Sequence, residues 1–460
     1  MTDLPLLDAP VAAAVPIHAM RTSEWEAWIS GRAESLRKLA QVHDFRAQGG
    51  RILVVPTTDG EIERVLFGLG DKAGSMAFGA LAQQLPAGDY TIAWAPRDID
   101  PTQVAIAWAL GAYAFERYKP RKRQAPRLVG GDGMDLNEAR LVAEAVHLAR
   151  DLVNTPANDM GPDALHAKAQ AVAEECDATF EAFVGDELLA HNFPMIHAVG
   201  RAAKEAPRLL RLTWGDESAQ RVTLVGKGVT FDSGGLDIKP DSGMRLMKKD
   251  MGGAAVALSL GRLIMRAKLP VRIEVILPVV ENAISGDAFR PGDVVATRKG
   301  LKVEVDNTDA EGRLILSDAL TLACEGAPDL LLDFATLTGA ARVALGPDIT
   351  PFYTDDEALA ADLASAAKEA ADPIWRLPLW DAYDADMDSP IADLKNTGDA
   401  GMAGSIYGGL FLRKFVTAKS WAHFDIYAWT PRERPGRPAG GDAQALRACW
   451  RMLRDRIIHK

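Results

Sequence analysis

Four apolar runs in the second segment of the chain, Arg221 to Val225, Arg272 to Val279, Asp329 to Phe334 and Trp421 to Tyr427, are short and rich in β-branched, leucine and aromatic residues. Runs of this length read as strands, and their nearly continuous apolar character fits a sheet covered on both faces. Helical patterns at Gly253 to Ala267 and Gly312 to Cys324 lie between them, so the spacing predicts a mostly parallel or mixed sheet flanked by helices. In such sheets functional groups gather beyond the carboxyl ends of the strands. The charged residues of interest here follow strands.

The first segment has the same character on a smaller scale. Arg51 to Pro56 and Tyr90 to Ala95 read as strands, and Ala77 to Gln84 and Thr102 to Tyr118 as helices, which makes an α/β unit. Lys119 to Asp135 is rich in proline, glycine and charge, and the periodic run Leu136 to Val153 after it reads as one long helix. The expected organisation is an amino-terminal α/β domain over residues 1–135, a connecting helix over 136–153 and a larger carboxyl-terminal α/β domain over 154–460. A length of 460 residues at 48% hydrophobic composition supports two cores.

Bulk properties exclude several classes. A net charge of -11 argues against a general nucleic-acid binder, which needs a basic surface to neutralise phosphates. The three cysteines, Cys176, Cys324 and Cys449, lie far apart and show no CxxC spacing, so they indicate neither a zinc-thiolate site nor a disulfide framework. The start, with Asp3 and Asp8 where a secretion signal carries basic residues and Pro16 interrupting its apolar run, shows no leader. No apolar run approaches the roughly 20 residues of a membrane helix, and a cytoplasmic protein is expected.

Two segments concentrate chemistry. Asn307 to Leu314 (NTDAEGRL) places Asp309, Glu311 and Arg313 together at a strand-to-helix junction, and Gly226 to Gly235 (GKGVTFDSGG) carries Lys227 and Asp232 on glycine-flanked backbone. Lys239 and Asp250 lie nearby in sequence. Each feature alone has a plain reading: a solvated acidic turn, a glycine-rich turn with a surface salt bridge, a loop lysine, a helix N-cap at Asp250. Asp232, Asp250, Asp309 and Glu311 together would repel one another severely in a cleft unless divalent cations offset the charge. Two metal ions resolve the conflict.

NTDAEGRL at 307–314, VGKGVTFDSGG at 225–235, KKDMGGAA at 248–255 and DFATLTGA at 333–340 closely resemble, in order, the motifs of the leucyl (cytosol) aminopeptidase family. LVNTPAND (152–159), GSIYGGLFL (404–412) and WAHFDI (421–426) extend the likeness over nearly the whole second segment, while the first segment resembles the family's macrodomain-like unit only weakly, at LGAYAFERYK (110–119).

The resemblance implies an aminopeptidase with two divalent metal ions per subunit, Mn2+ or Zn2+ foremost. It makes Asp232 and Glu311 bridging ligands, with Lys227 and Asp250 completing one metal site and Asp309 the other. A ligating lysine must be neutral, so the cations are expected to lower the pKa of Lys227. The nucleophile implied is a water or hydroxide between the metals, with Lys239 polarising the scissile carbonyl and Arg313 holding a bicarbonate that acts as general base. Met247, Thr336, Leu337 and Gly339 match the substrate pocket, and the free α-amine of a peptide substrate would bind a metal and Asp250, which makes the enzyme an exopeptidase. The resemblance implies a leucine-like preference, against which Tyr427 stands where many relatives carry small residues and would narrow the side-chain pocket. The absence of HExxH and the scatter of the eight histidines agree with this scheme, and His423 reads as a core histidine. A homohexamer is implied by resemblance alone. The competing readings are a two-metal phosphatase or nuclease, and a catalytically retired regulatory or DNA-binding relative.

Overall fold

The computed structural model describes residues 4–8, 11, 13–398 and 401–458. Asp3, used above in reading the amino terminus, lies outside the described residues. The chain divides into two compact units, residues 1–147 with 432–439, and residues 148–431 with 440–460.

The first unit holds strands β1 (Leu6–Leu7), β2 (Val15–Arg21), β3 (Ile52–Pro56), β4 (Ile62–Gly70), β5 (Asp89–Trp94) and β6 (Arg127–Val129) in the order β1-β6-β5-β2-β4-β3. Its pairings are parallel except β3 with β4. Trp25, Phe45, Leu53 and Leu66 pack in one of its apolar clusters. The helix expected over Thr102 to Tyr118 runs Pro101–Gly111, opened by Asp100, whose side chain accepts from Gln103 N at 3.0 Å. β6 falls inside Lys119 to Asp135, the stretch rich in proline, glycine and charge at the expected domain boundary. Its three residues are too few to show an apolar period, and its pairing with β5 and β1 is what makes it a strand.

The second unit is built on β7 (Thr179–Val184), β8 (Arg208–Trp214), β9 (Arg221–Gly226), β10 (Gly228–Asp232), β11 (Arg272–Asn282), β14 (Leu330–Ala335), β15 (Thr350–Tyr353), β16 (Ile374–Arg376) and β18 (Trp421–Asp425). The order is β16-β15-β18-β14-β9-β11-β8-β7, with β10 also paired to β11. The centre, β18-β14-β9-β11, is parallel, while β8 and β15 run against it, so the sheet is mixed as the spacing predicted. A small sheet of β12 (Val294–Ala296), β13 (Lys302–Glu304) and β17 (Leu394–Lys395) stands apart. The register puts Gly226 opposite Phe334, Ala335 opposite Asp425 and Asp232 opposite Asn282. One edge of the sheet therefore collects the carboxyl ends of five strands.

Two helices pack against this sheet. Gly252–Arg266 is buried along nearly its whole length, and the stripe Leu314, Ile315, Leu316, Ala319, Leu320 of Glu311–Glu325 joins the main core with Val225, Ile276 and Leu331. Asp318, fully buried on the second helix, anchors it elsewhere: its carboxylate accepts from Met195 N at 2.8 Å, Ile196 N at 3.4 Å and Arg298 N at 2.8 Å. Burial pushes its pKa up to about 7 although these N–H groups favour the anion. Asp318→Ala leaves those donors without a partner and is expected to lower the unfolding free energy by about 2 to 4 kcal/mol, read as a lower denaturant midpoint at unchanged slope.

Candidate metal centre

Beyond β9 the backbone of Lys227 is held from two sides: its N–H donates to Phe334 O at 2.9 Å and its carbonyl accepts from Ala254 N at 2.8 Å. This brings the start of the helix Gly252–Arg266 against the ends of β9 and β14. The approach requires Gly253, where a Cβ would lie 2.1 Å from Phe334 O. The Lys227 side chain then passes over Gly312, where a Cβ would stand 2.5 Å from Lys227 Cε.

Asp232 ends β10, and its Oδ1 accepts from Gly234 N and from Asn282 Nδ2, both at 2.9 Å. Asp250 lies in a 3-10 turn, Met247–Met251, ahead of the helix, whose N-cap is Met251. The N-cap reading of Asp250 fails for a physical reason: its carboxylate faces inward, accepting from Thr336 Oγ1 at 2.8 Å. The loop before Glu311 is pinned by Asn396, whose Oδ1 accepts from Asp306 N at 2.8 Å, and by Thr308 Oγ1, which donates to Gly234 O at 2.7 Å.

These elements bring all five expected ligands and Lys239 together. Carboxylate oxygens of Asp232, Asp309 and Glu311 lie within 4.8 Å of one another. Lys227 Nζ sits 2.7 Å from Asp250 Oδ2 and 2.9 Å from Glu311 Oε1, and donates to Thr336 O at 3.1 Å. The two carboxylate contacts are ion pairs off the line of a good hydrogen bond, since neither oxygen has a hydrogen-bond partner, and Glu311 Oε2 has none either. Lys239 Nζ pairs with Asp232 at 2.8 Å and with Asp309. Lys239 is thus no solvated loop lysine, and Lys227, 3% exposed, makes no surface salt bridge.

Two ammonium groups cannot fully offset three buried carboxylates and the partly exposed Asp309. Burial, then Asp232, push Glu311 up to about 8. The same causes push Asp309 up to about 6, against the pull of Lys239. Burial opposes the charge of Lys227, but Asp250, Glu311 and Asp232 more than reverse this and raise its pKa. That is opposite to the direction expected with cations bound, because here every close charge is an anion. Orphaned buried oxygens, surplus negative charge and a set of oxygens plus one amine fit divalent metal ions.

Arg313 is buried, donates from Nη1 to Asn396 O at 2.7 Å and has an unpartnered Nε. Burial lowers its pKa to about 10, with Asp425 and Glu311 acting the other way. Thr336 and Leu337 follow β14, and Gly339 caps the helix Ala340–Leu345. Asp425 at the end of β18 organises this turn, its Oδ1 accepting from Leu337 N at 3.0 Å and Thr338 N at 3.1 Å. Met247 opens the 3-10 turn. His423 is a core residue, its Nδ1 2.6 Å from Asp333 Oδ1. Asn282 and Asn396 hold the site but carry no sequence signal, since nothing local distinguishes them from other polar residues, whereas Asp425 stood inside the motif WAHFDI. Thr308 stood inside the octapeptide, and its position there was the available signal.

The family model described as "Cytosol aminopeptidase family, catalytic domain" matches residues 147–449, and "M17 aminopeptidase, N-terminal domain" matches 15–130. The chain is 40% identical over 367 residues to a probable cytosol aminopeptidase of Geobacter sp. (strain M21), covering 76% of this chain and 74% of that one. The cytosol aminopeptidase of Coxiella burnetii has a crystal structure that superposes with a TM-score of 0.94 at 42% identity, covering 98% of this chain and 99% of that one. The bottromycin maturation enzyme BotP in complex with Mn gives a TM-score of 0.87 at 34% identity, over 96% of this chain and 99% of that one.

Protons on Glu311 and Lys227 compete with a cation for the same atoms, so divalent metal affinity is expected to fall as pH drops from about 8 towards 6, with protons released on binding. Calorimetric titration of Mn2+ in buffers of different ionisation enthalpy measures that release. Gly312→Ala displaces Lys227 Nζ and should weaken Mn2+ binding by roughly 10- to 100-fold in the same titration while the circular dichroism of the fold persists.

Proposed function

We propose, from the premise that this chain belongs to the cytosol aminopeptidase family and is a metal-dependent aminopeptidase, a division of labour among the residues of its cluster. Asp232 and Glu311 would lie between two divalent cations, with Lys227 and Asp250 completing one site and Asp309 the other. The observation that carries this reading is the convergence of four carboxylates, three of them buried, on Lys227 and Lys239, with Glu311 Oε2 left without a partner. When bound, the cations supply a Lewis acid for the scissile carbonyl and water acidified towards neutrality.

The protein's own groups do the rest. Lys239, held by Asp232 and Asp309 at the one-third exposed mouth of the site, presents an ammonium to the oxygen on which negative charge develops. Asp250, fixed by Thr336, receives the free α-amine, which only the first residue of a peptide can present. The substrates are accordingly peptides with a free amino terminus, released one residue at a time. Arg313, anchored by Asn396 and with Nε free to donate, would hold a bicarbonate as the general base. Met247, Thr336, Leu337 and Gly339 frame the substrate, the last three on a turn that Asp425 makes rigid.

The family assignment does not favour the phosphatase or nuclease alternative. We extend to this chain a homohexamer in the cytoplasm. Among the described residues no helix is long and apolar enough to cross a membrane.

Asp309→Asn or Glu311→Gln is expected to abolish turnover of aminoacyl p-nitroanilides in Mn2+ with the fold intact, and undiminished turnover in both would refute the ligand set. Lys239→Met should lower kcat by roughly 10²- to 10³-fold with a smaller change in KM. Release of p-nitrophenol from its phosphate, with no anilide turnover, would reject the peptidase reading.

A further inference from the structure

Two cations beside the site take no part in the chemistry proposed above. Lys249, adjacent to Asp250, is only 2% exposed, and its Nζ lies 5.3 Å from the centre of the Tyr427 ring. The guanidinium of Arg342 lies over the same ring, 4.4 Å from its centre, and is steadied by donation from Nη1 to Thr338 O at 3.1 Å. The other lysines nearby are engaged. Lys227 and Lys239 face carboxylates, and Lys248 turns away to donate to Asn154 O at 2.6 Å. Among the described residues neither Lys249 nor Arg342 has a carboxylate at ion-pair distance; the neighbouring Asp250 favours the Lys249 charge, and Arg342, Lys227 and Lys239 oppose it. A cation over an aromatic face recovers less than the burial of an unpaired charge costs. An anion placed beside both cations would offset the charge that burial and their mutual repulsion oppose.

The position says which anion. The segment carrying Tyr427 packs directly on the Asp250 turn: a Cβ at Gly252 would lie 2.3 Å from Ala428 Cβ and 3.3 Å from Thr336 Cγ2. On the reading above, on which this inference rests, Asp250 holds the α-amine. The substrate's first side chain leaves the same carbon as that amine, so it meets the groups next to Asp250: Lys249, Tyr427 and Arg342. We propose that Lys249 and Arg342, both over the Tyr427 ring, make this pocket select an amino-terminal residue whose side chain carries a carboxylate, aspartate or glutamate. Tyr427 shortens the pocket and gives both cations a surface to rest on, so the selected group meets fixed charges. A leucine side chain leaves both cations without an anion, and an amino-terminal lysine or arginine adds a third positive charge.

The test uses the full chain loaded with Mn2+ and three substrates, the p-nitroanilides of glutamate, glutamine and leucine, which lack any carboxylate except the side chain's. The glutamyl anilide should exceed the nearly isosteric glutaminyl anilide in kcat/KM by about tenfold or more. That ratio should fall towards one in Lys249→Met and persist in Lys249→Arg. Being internal to each variant, it is insensitive to partial loss of folded enzyme. Leucyl turnover with no preference for glutamate over glutamine overturns the pocket and leaves the peptidase site standing, whereas silence towards all three anilides overturns both. A second pair, Leu-Gly and its amide, covers the other source of a carboxylate. Preference for the free acid that vanishes in Lys249→Met, with no glutamate preference, places the substrate's carboxyl terminus there and rejects the proposal.

Discussion

Four carboxylates within a few ångströms, three of them buried and Asp309 partly exposed, form the constraint around which the second unit is arranged. Their repulsion is met in part by Lys227 and Lys239, and burial together with the repulsion that remains raises the proton affinity of Glu311 and Asp309. The groups that hold the acids in place follow from this. Thr336 orients Asp250, Asn282 orients Asp232, and Asn396 with Thr308 fixes the turn that delivers Asp309 and Glu311. Glycines 253 and 312 are the places where no side chain fits because Lys227 and its backbone pass through. The sheet serves the same end, since its parallel centre presents strand ends on one edge.

Much of this was legible beforehand, and for identifiable reasons. Long apolar runs such as RIEVILPV fold as strands wherever they lie in the sheet, so the central strands appeared within one to three residues of their expected bounds. The acidic cluster was legible because charge repulsion is a property of residue types, and the motif order added the family. What stayed hidden depends on contacts between distant segments. β6 is a strand only because β5 and β1 flank it, and Asn396 matters only because it meets residue 306 across the fold. The direction of the Lys227 shift was also beyond sequence reasoning, because it depends on which charges surround the ammonium.

The two walls of the site differ in kind. The floor is negative and closed by lysines, while the side nearest Tyr427 is positive and has no counterion of its own. One short turn carries both: Asp250 points to the floor and Lys249 to the wall, on consecutive residues of a 3-10 segment. A polypeptide alternates its side chains in this way at little cost, so the recognition of a substrate's amine and of its side chain come from neighbouring positions.

The ion pairs of Lys227 join residues 227, 250 and 311, which the chain makes far apart, through a charge the protein itself supplies. Small zinc domains stay unfolded until their ion arrives. Here an ammonium already stands among the acids and offsets part of their repulsion, a role that in those small domains falls to the ion alone.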